Sequence, residues 1–195
     1  AGHETTAVAL TWTLYLLAQH PQIEQRLRAE LAEVLAGRAP SMADLPRLRY
    51  TDWVVKESLR LYPPAWVTTR WTTQPLRIGG YQVPRHALLM LSPWVMQRHP
   101  DYWEAPEAFQ PERFAREDEI SRYVYFPFGG GPRICIGNSF AQMEASLVLA
   151  TLLQEARFTL EPDQQVVLEP LISLRPKGGI RMRRAAVHPS GAMPA

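Results

Sequence analysis

The chain has 195 residues, 46% of them hydrophobic, with 18 prolines, a single cysteine and a formal charge of +2. One cysteine excludes an internal disulfide framework and fits a reducing compartment, and the small net charge gives no electrostatic reason for a nucleic-acid partner. No apolar run reaches the ~18–20 residues of a membrane span, and no signal peptide is visible, so no membrane segment is expected.

In chain order, Ala1-Gly2-His3-Glu4-Thr5-Thr6 comes first, with neither a methionine nor a helix cap, and an apolar helical run follows through Val8, Leu10, Trp12, Leu14 and Leu17. Thr5 stands four residues after Ala1, so its hydroxyl can bond the Ala1 carbonyl and bend the helix, with Gly2 easing the distortion. His3 reads as a packing residue rather than a ligand. Pro21 suits the first turn of a second helix, in which Ile23, Leu27, Leu31 and Leu35 recur at helical spacing until Gly37 ends it. Glu24, Arg28, Glu30 and Glu33 read as its solvated face. A third helix spans Tyr50 to Tyr62 and stops at Pro63-Pro64. It sets Glu57 and Arg60 on one face, a pairing worth only ~0.2–0.5 kcal/mol at a surface and no functional signal by itself.

Strand-like pieces follow at Trp71–Thr73, Leu76–Ile78, Tyr81–Val83 and Ala87–Leu91, with Gly79-Gly80 as a hairpin turn. Ser92-Pro93 opens a short helix to Arg98. The run from His99 to Pro111 is rich in proline and aromatics and reads as irregular; His99 has no second ligand at metal-binding spacing. After Gly137 a helix bearing Phe140, Met143, Leu147 and Leu152 continues to about Glu155. Phe158–Leu160, Val166–Leu168 and Ile180–Arg183 read as strands of a small sheet, with Arg175–Gly179 as a turn at its border. Residues 185–195 are small, polar and proline-bearing, and are expected to be disordered.

The chemistry concentrates in Phe128-Gly129-Gly130-Gly131-Pro132-Arg133-Ile134-Cys135-Ile136-Gly137. The glycines permit backbone angles that other residues avoid and let a ligand approach the main chain. If Arg133 to Cys135 is extended, alternation puts cation and thiol on one face. A thiolate is a soft metal ligand, and the N–H groups and positive dipole end of the helix starting at Gly137 favour it. Phe128 is placed to pack near the sulfur.

The spacing Phe-x-x-Gly-x-Arg-x-Cys-x-Gly, complete as Phe128, Gly131, Arg133, Cys135 and Gly137, resembles the haem-ligand loop of the cytochromes P-450, the haem-thiolate monooxygenases. The opening Ala1–Thr6 is similar to that family's distal-helix motif. Glu57-x-x-Arg60, Pro63-Pro64 and the later Pro111-Glu112-Arg113-Phe114 match it in order and position. The resemblance implies a mainly α fold with small β-sheets, an α+β architecture, in which residues 1–184 form the C-terminal half of one P-450 domain from the middle of the distal helix. It implies haem b as cofactor, with Cys135 ligating the iron, Arg133 and Arg70 taking propionates, and Phe128, Gly131 and Gly137 shaping the cofactor site.

By the same resemblance Glu57, Arg60 and Arg113 form a buried structural triad, and Glu4 and Thr5 deliver protons. Ala1, Val67, Thr68 and Ile172, with Trp66, line the substrate pocket. The implied activity inserts one oxygen atom from O2 into a lipophilic substrate. Electrons come from a ferredoxin or flavodoxin type donor, fed by NAD(P)H through a reductase and steered by Arg113 and Arg116. A soluble, cytoplasmic bacterial protein is expected. A peroxide-driven peroxygenase, a haem-thiolate isomerase and a non-catalytic haem-binding fragment are the alternatives, of which the first two fit the Glu4-Thr5 pair less well. The chain by itself is expected to show little oxidation activity.

Overall fold

Four α-helices enclose the main core of the structure, a computed structural model that describes residues 2–187. The first, α1 (Glu4–Gln19), buries Thr6, Val8, Ala9, Trp12, Thr13, Leu16 and Leu17, so apolar contact is made on more than one side. The buried hydroxyl of Thr13 is satisfied: its Oγ1 bonds the Ala9 carbonyl and Ser58 Oγ, both at 2.8 Å. Helix α2 (Pro21–Leu35) starts on a proline and buries Ile23, Leu27, Leu31 and Leu35 as its spacing predicts. The left-handed residue that caps it is Ala36, with φ 48°, and Gly37 follows at φ 82°. Helix α3 (Arg49–Leu61) ends before Pro63-Pro64.

The polar face of α2 departs from expectation. Only Glu33 is solvated as predicted; Glu24 is 7% exposed and bonds Arg28 Nε at 2.7 Å. Arg28 in turn donates to the carbonyls of Leu153 and Ala156, where a later helix ends. Glu30 accepts from the N–H groups of Tyr50 and Thr51 and from Thr51 Oγ1 at 2.6–2.8 Å. These side chains satisfy the unpaired backbone groups at the ends of neighbouring helices, a task that spacing within α2 cannot reveal.

After α3 the chain forms small antiparallel ladders. β1 (Thr68–Trp71) pairs with β4 (Leu88–Leu91), and β2 (Leu76–Ile78) with β3 (Tyr81–Val83). The first strand begins three residues before the expected Trp71, because Thr68 pairs with Leu91. A short α4 (Pro93–Met96) is capped by Ser92, and an irregular stretch then leads to 3₁₀ turns over Pro111–Glu119. Trp103, Phe114 and Val124 form a second, smaller core beneath that stretch.

Helix α5 (Asn138–Glu155) turns Ala145, Ser146, Leu149, Ala150 and Leu153 inward, while Phe140 stays 60% exposed. β5 (Ala156–Leu160) pairs with β8 (Met182–Ala186), and β6 (Leu168–Pro170) with β7 (Leu174–Pro176). Ala185 and Ala186 are therefore strand residues, two past the boundary expected at 184, because Ala156 and Arg157 pair with them. Residues 188–195 of the expected disordered tail, and Ala1, lie outside the described residues. The mixture of helices and two-stranded sheets is the α+β class expected.

Glu30→Ala strands donors of the first turn of α3 and should cost about 1–2 kcal/mol, read by urea unfolding. Bonds from Arg38 (2.7 Å) and Ser41 hold the Asp44 carboxyl well below its ordinary value near 3.8. A carboxyl depressed on folding stabilises above its unfolded value and loses that contribution as pH falls. Asp44→Asn should therefore lower Tm at pH 7, with the difference shrinking steadily below about pH 4.

Candidate functional site

The Phe128–Gly137 loop is closed by its own backbone. The Cys135 N–H donates to the Phe128 carbonyl at 2.9 Å, and Gly129 N–H to the Phe126 carbonyl at 2.9 Å. Gly129 and Gly131 have φ of 74° and 68°, left-handed angles that a side chain would strain. Gly131–Arg133 forms a 3₁₀ turn, so the condition under which alternation would set Arg133 and Cys135 on one face is not met at Arg133. Ile134, which follows the turn, has φ −57° and ψ 147°.

Cys135 is exposed. Its carbonyl accepts from Asn138 N–H at 3.4 Å, and Gly137 is the N-cap of α5. A Cβ on Gly137 would stand 4.0 Å from Cys135 Sγ, so the start of α5 lies against the sulfur. The positive dipole end of α5 thus lies beside the thiol, with the N–H groups of Asn138 and Ser139 taken by the Cys135 carbonyl and by Asn138 Oδ1. Ile134, Ile136 and Phe140 around it are 50%, 104% and 60% exposed, and Arg133 is exposed. Phe128 packs its ring against the main core.

Behind the loop lies a buried charge network. Arg60 Nε and Nη2 bond Glu57 Oε2 and Oε1 at 2.7 and 2.9 Å, with both side chains 0% exposed. Arg113 Nε reaches Glu57 Oε1 at 3.3 Å, and Gln110 N–H donates to the same oxygen at 2.9 Å. Arg60 also donates to the carbonyls of Gln97, Pro106 and Ala108 at 2.7–3.0 Å. The three triad residues thus come together. Arg113 is only 12% exposed and its second bond goes to the Ala105 carbonyl, so it cannot serve as a steering cation as expected. Arg116, 79% exposed, remains on the surface beside Glu119.

Sequence reasoning missed Gln97, which is 0% exposed. Its amide donates to the carbonyls of Leu59 and Arg60 and accepts from Phe126 N–H, all at 3.0 Å. It joins the end of α3 to the entry of the cysteine loop. The signal available was slight: a glutamine at the C-terminal end of a short apolar helix.

A third group of contacts gathers around the start of α1. Glu4 accepts from Ser173 Oγ at 2.9 Å. Trp12 Nε1 donates to the Leu174 carbonyl at 2.8 Å and Trp66 Nε1 to that of Leu171 at 2.9 Å. Leu174 N–H donates to the Pro64 carbonyl at 2.9 Å. Of the expected pocket residues, Trp66, Val67 and Thr68 are half-buried and Ile172 is fully exposed at the tip of the β6–β7 hairpin; Ala1 lies outside the described residues. Thr5 is half-buried in the first turn of α1. Arg70 is exposed and bonds Thr68 Oγ1 and the Thr69 carbonyl. His3 is exposed, and His99 sits against Tyr102.

The family model described as Cytochrome P450 matches residues 1–181. The chain is 45% identical over 184 residues to cyclooctatin synthase of Streptomyces melanosporofaciens, covering 93% of this chain and 40% of that protein. It is 40% identical over 191 residues to pentalenene oxygenase of Streptomyces avermitilis, covering 97% and 42%. Cyclooctat-9-en-7-ol 5-monooxygenase of Streptomyces melanosporofaciens is 42% identical over 164 residues, covering 83% and 35%. The chain belongs to the cytochrome P450 family. It spans about two fifths of the length of the first of these relatives.

That family implies haem, and the residues present fit it. Haem iron needs one protein ligand on the proximal side, and a lone thiol is held out on a rigid turn beside a helix start. Exposed Ile134, Ile136 and Phe140 supply an apolar patch of the kind that marks a binding surface, and Arg133 offers a cation for an anionic edge. Among the described residues no helix is long and apolar enough to cross a membrane.

Glu57→Gln should test the network. It leaves the Arg60 guanidinium buried opposite a neutral amide, at a cost of order 3–5 kcal/mol. Thermal unfolding of the haem-loaded protein should show the loss, and haem should dissociate faster than from the parent.

Proposed function

We propose that the protein is a haem-thiolate monooxygenase whose C-terminal portion is this chain. The observation that carries the reading is the exposed Cys135, set by a closed glycine turn at the start of α5 above a fully paired buried triad. Haem bound there supplies O2 activation and insertion of one oxygen atom into a C–H bond. Cys135 would ligate its iron, and Arg133 and Arg70 would hold its propionates by charge-assisted bonds. Glu4 and Thr5 carry and place protons at the start of α1. One O2, two electrons and two protons convert a C–H group to C–OH and release water; a ferredoxin or flavodoxin type protein, fed by NAD(P)H through a reductase, supplies the electrons.

Val67, Thr68 and Ile172 support an apolar substrate. Two relatives are named for an alkene, pentalenene, and an unsaturated alcohol, cyclooctat-9-en-7-ol. We extend that chemistry to this site, as a compact lipophilic hydrocarbon, with pentalenene the first probe.

The reduced, CO-bound protein should show the red-shifted Soret band of thiolate-ligated haem, and Cys135→Ser should abolish it. A wild-type protein that takes up haem without that band sinks the proposal. Thr5→Ala should keep the band yet send a larger share of electrons from NAD(P)H to hydrogen peroxide. Turnover equally good with peroxide alone would favour a peroxygenase instead.

A further inference from the structure

The distal acid is not left to its own rotamers. Ser173 is 5% exposed, and its hydroxyl donates to Glu4 Oε1 at 2.9 Å. The two residues are 169 positions apart in the chain. The serine lies at the tip of the β6–β7 hairpin, next to the fully exposed Ile172.

That tip is fastened on either side of the hydroxyl. Leu174 donates its N–H to the Pro64 carbonyl, and its own carbonyl accepts from Trp12 Nε1. Leu171 accepts from Trp66 Nε1, and its N–H closes the turn onto the Ser173 carbonyl at 3.4 Å. Trp12 stands on the same helix as Glu4, so donor and acceptor are referenced to one rigid element. Glu4 is exposed, at the first position of α1. A buried serine hydroxyl aimed at an exposed carboxylate is a positioning device, since burying that hydroxyl unpaired is unfavourable.

We propose that Ser173 is the positioning residue for Glu4, holding its carboxylate where it can pass protons inward and tying that orientation to the hairpin tip that meets the substrate. The proposal rests on the reading of Glu4 as a proton carrier. Glu4 gains and loses a proton, and the serine keeps its own. O2, two electrons and two protons give either hydroxylated product with water or hydrogen peroxide. The division between these outcomes reports how well protons are placed.

The test uses the haem-loaded enzyme with Ser173→Thr and Ser173→Val, side chains of nearly equal shape that differ in the hydroxyl. The infrared carboxylate stretch of Glu4, assigned by its loss in Glu4→Gln, should be unchanged in Ser173→Thr and displaced in Ser173→Val. With NAD(P)H, a ferredoxin and its reductase, and pentalenene as probe, Ser173→Val should raise the ratio of peroxide to product about fivefold, the scale set by one ordinary hydrogen bond. Ser173→Thr should stay at the parent ratio, and the CO-bound spectrum should be that of the parent in both. An unmoved stretch in Ser173→Val overturns the proposal, as does a ratio that rises equally in both variants. So does a ratio that rises by the same factor when Glu4 is already Gln, since the effect then bypasses Glu4. Parent-like peroxide yield in Glu4→Gln alone would remove Glu4 from the proton path, and with it the reading beneath.

Discussion

The structure depends on one carboxylate placed where water cannot reach it. Glu57 is 0% exposed, and an ionised carboxylate there is tolerable only if its lone pairs are fully engaged. Arg60 binds both oxygens, and Arg113 and the Gln110 N–H add to Oε1. Arg60 is equally committed. A guanidinium has five N–H donors, and five bonds leave it, to Glu57 twice and to the carbonyls of Gln97, Pro106 and Ala108. Trp103 lies under its plane, with the ring centre 5.0 Å from Cζ. Lysine, with three donors on a point charge, could not gather those carbonyls.

That arrangement explains how an irregular stretch is held. The segment from His99 to Gln110 is broken by Pro100 and Pro106 and cannot form a ladder, so its carbonyls need donors from elsewhere. The buried arginine provides them. Gln97 then carries the order onward, since its oxygen takes the Phe126 N–H just before the cysteine loop begins. The thiol is therefore positioned from behind by a network that never touches it. This is the relation in which supporting bonds fix a ligand's direction while the ligand itself does the chemistry.

On the other side, α1 is fastened to elements that lie far along the chain. Trp12 stacks on Tyr62, with ring centres 4.2 Å apart, and bonds the Leu174 carbonyl. Pro64 and Trp66 bind the same hairpin tip. Helix start, the segment after α3 and the β6–β7 tip thus form one body, with Glu4 and Ser173 paired at its edge.

The sequence alone determined what depends on local spacing. The Phe128–Gly137 pattern was legible because a thiolate loop needs particular residues a few positions apart, and the helices because their buried positions repeat. The Glu57–Arg60–Arg113 partnership was legible only through family resemblance, since three-residue spacing by itself signifies little. Tertiary structure alone decided the rest. Glu24, Arg28 and Glu30 look like a solvated face until the ends of other helices arrive to use them. Strand limits at Thr68 and Ala186 follow the partner strand rather than the local apolar run. Gln97 and Ser173 carry little sequence signal because a hydrogen bond between distant positions depends on where the backbone folds, and periodicity encodes only which residues seek burial.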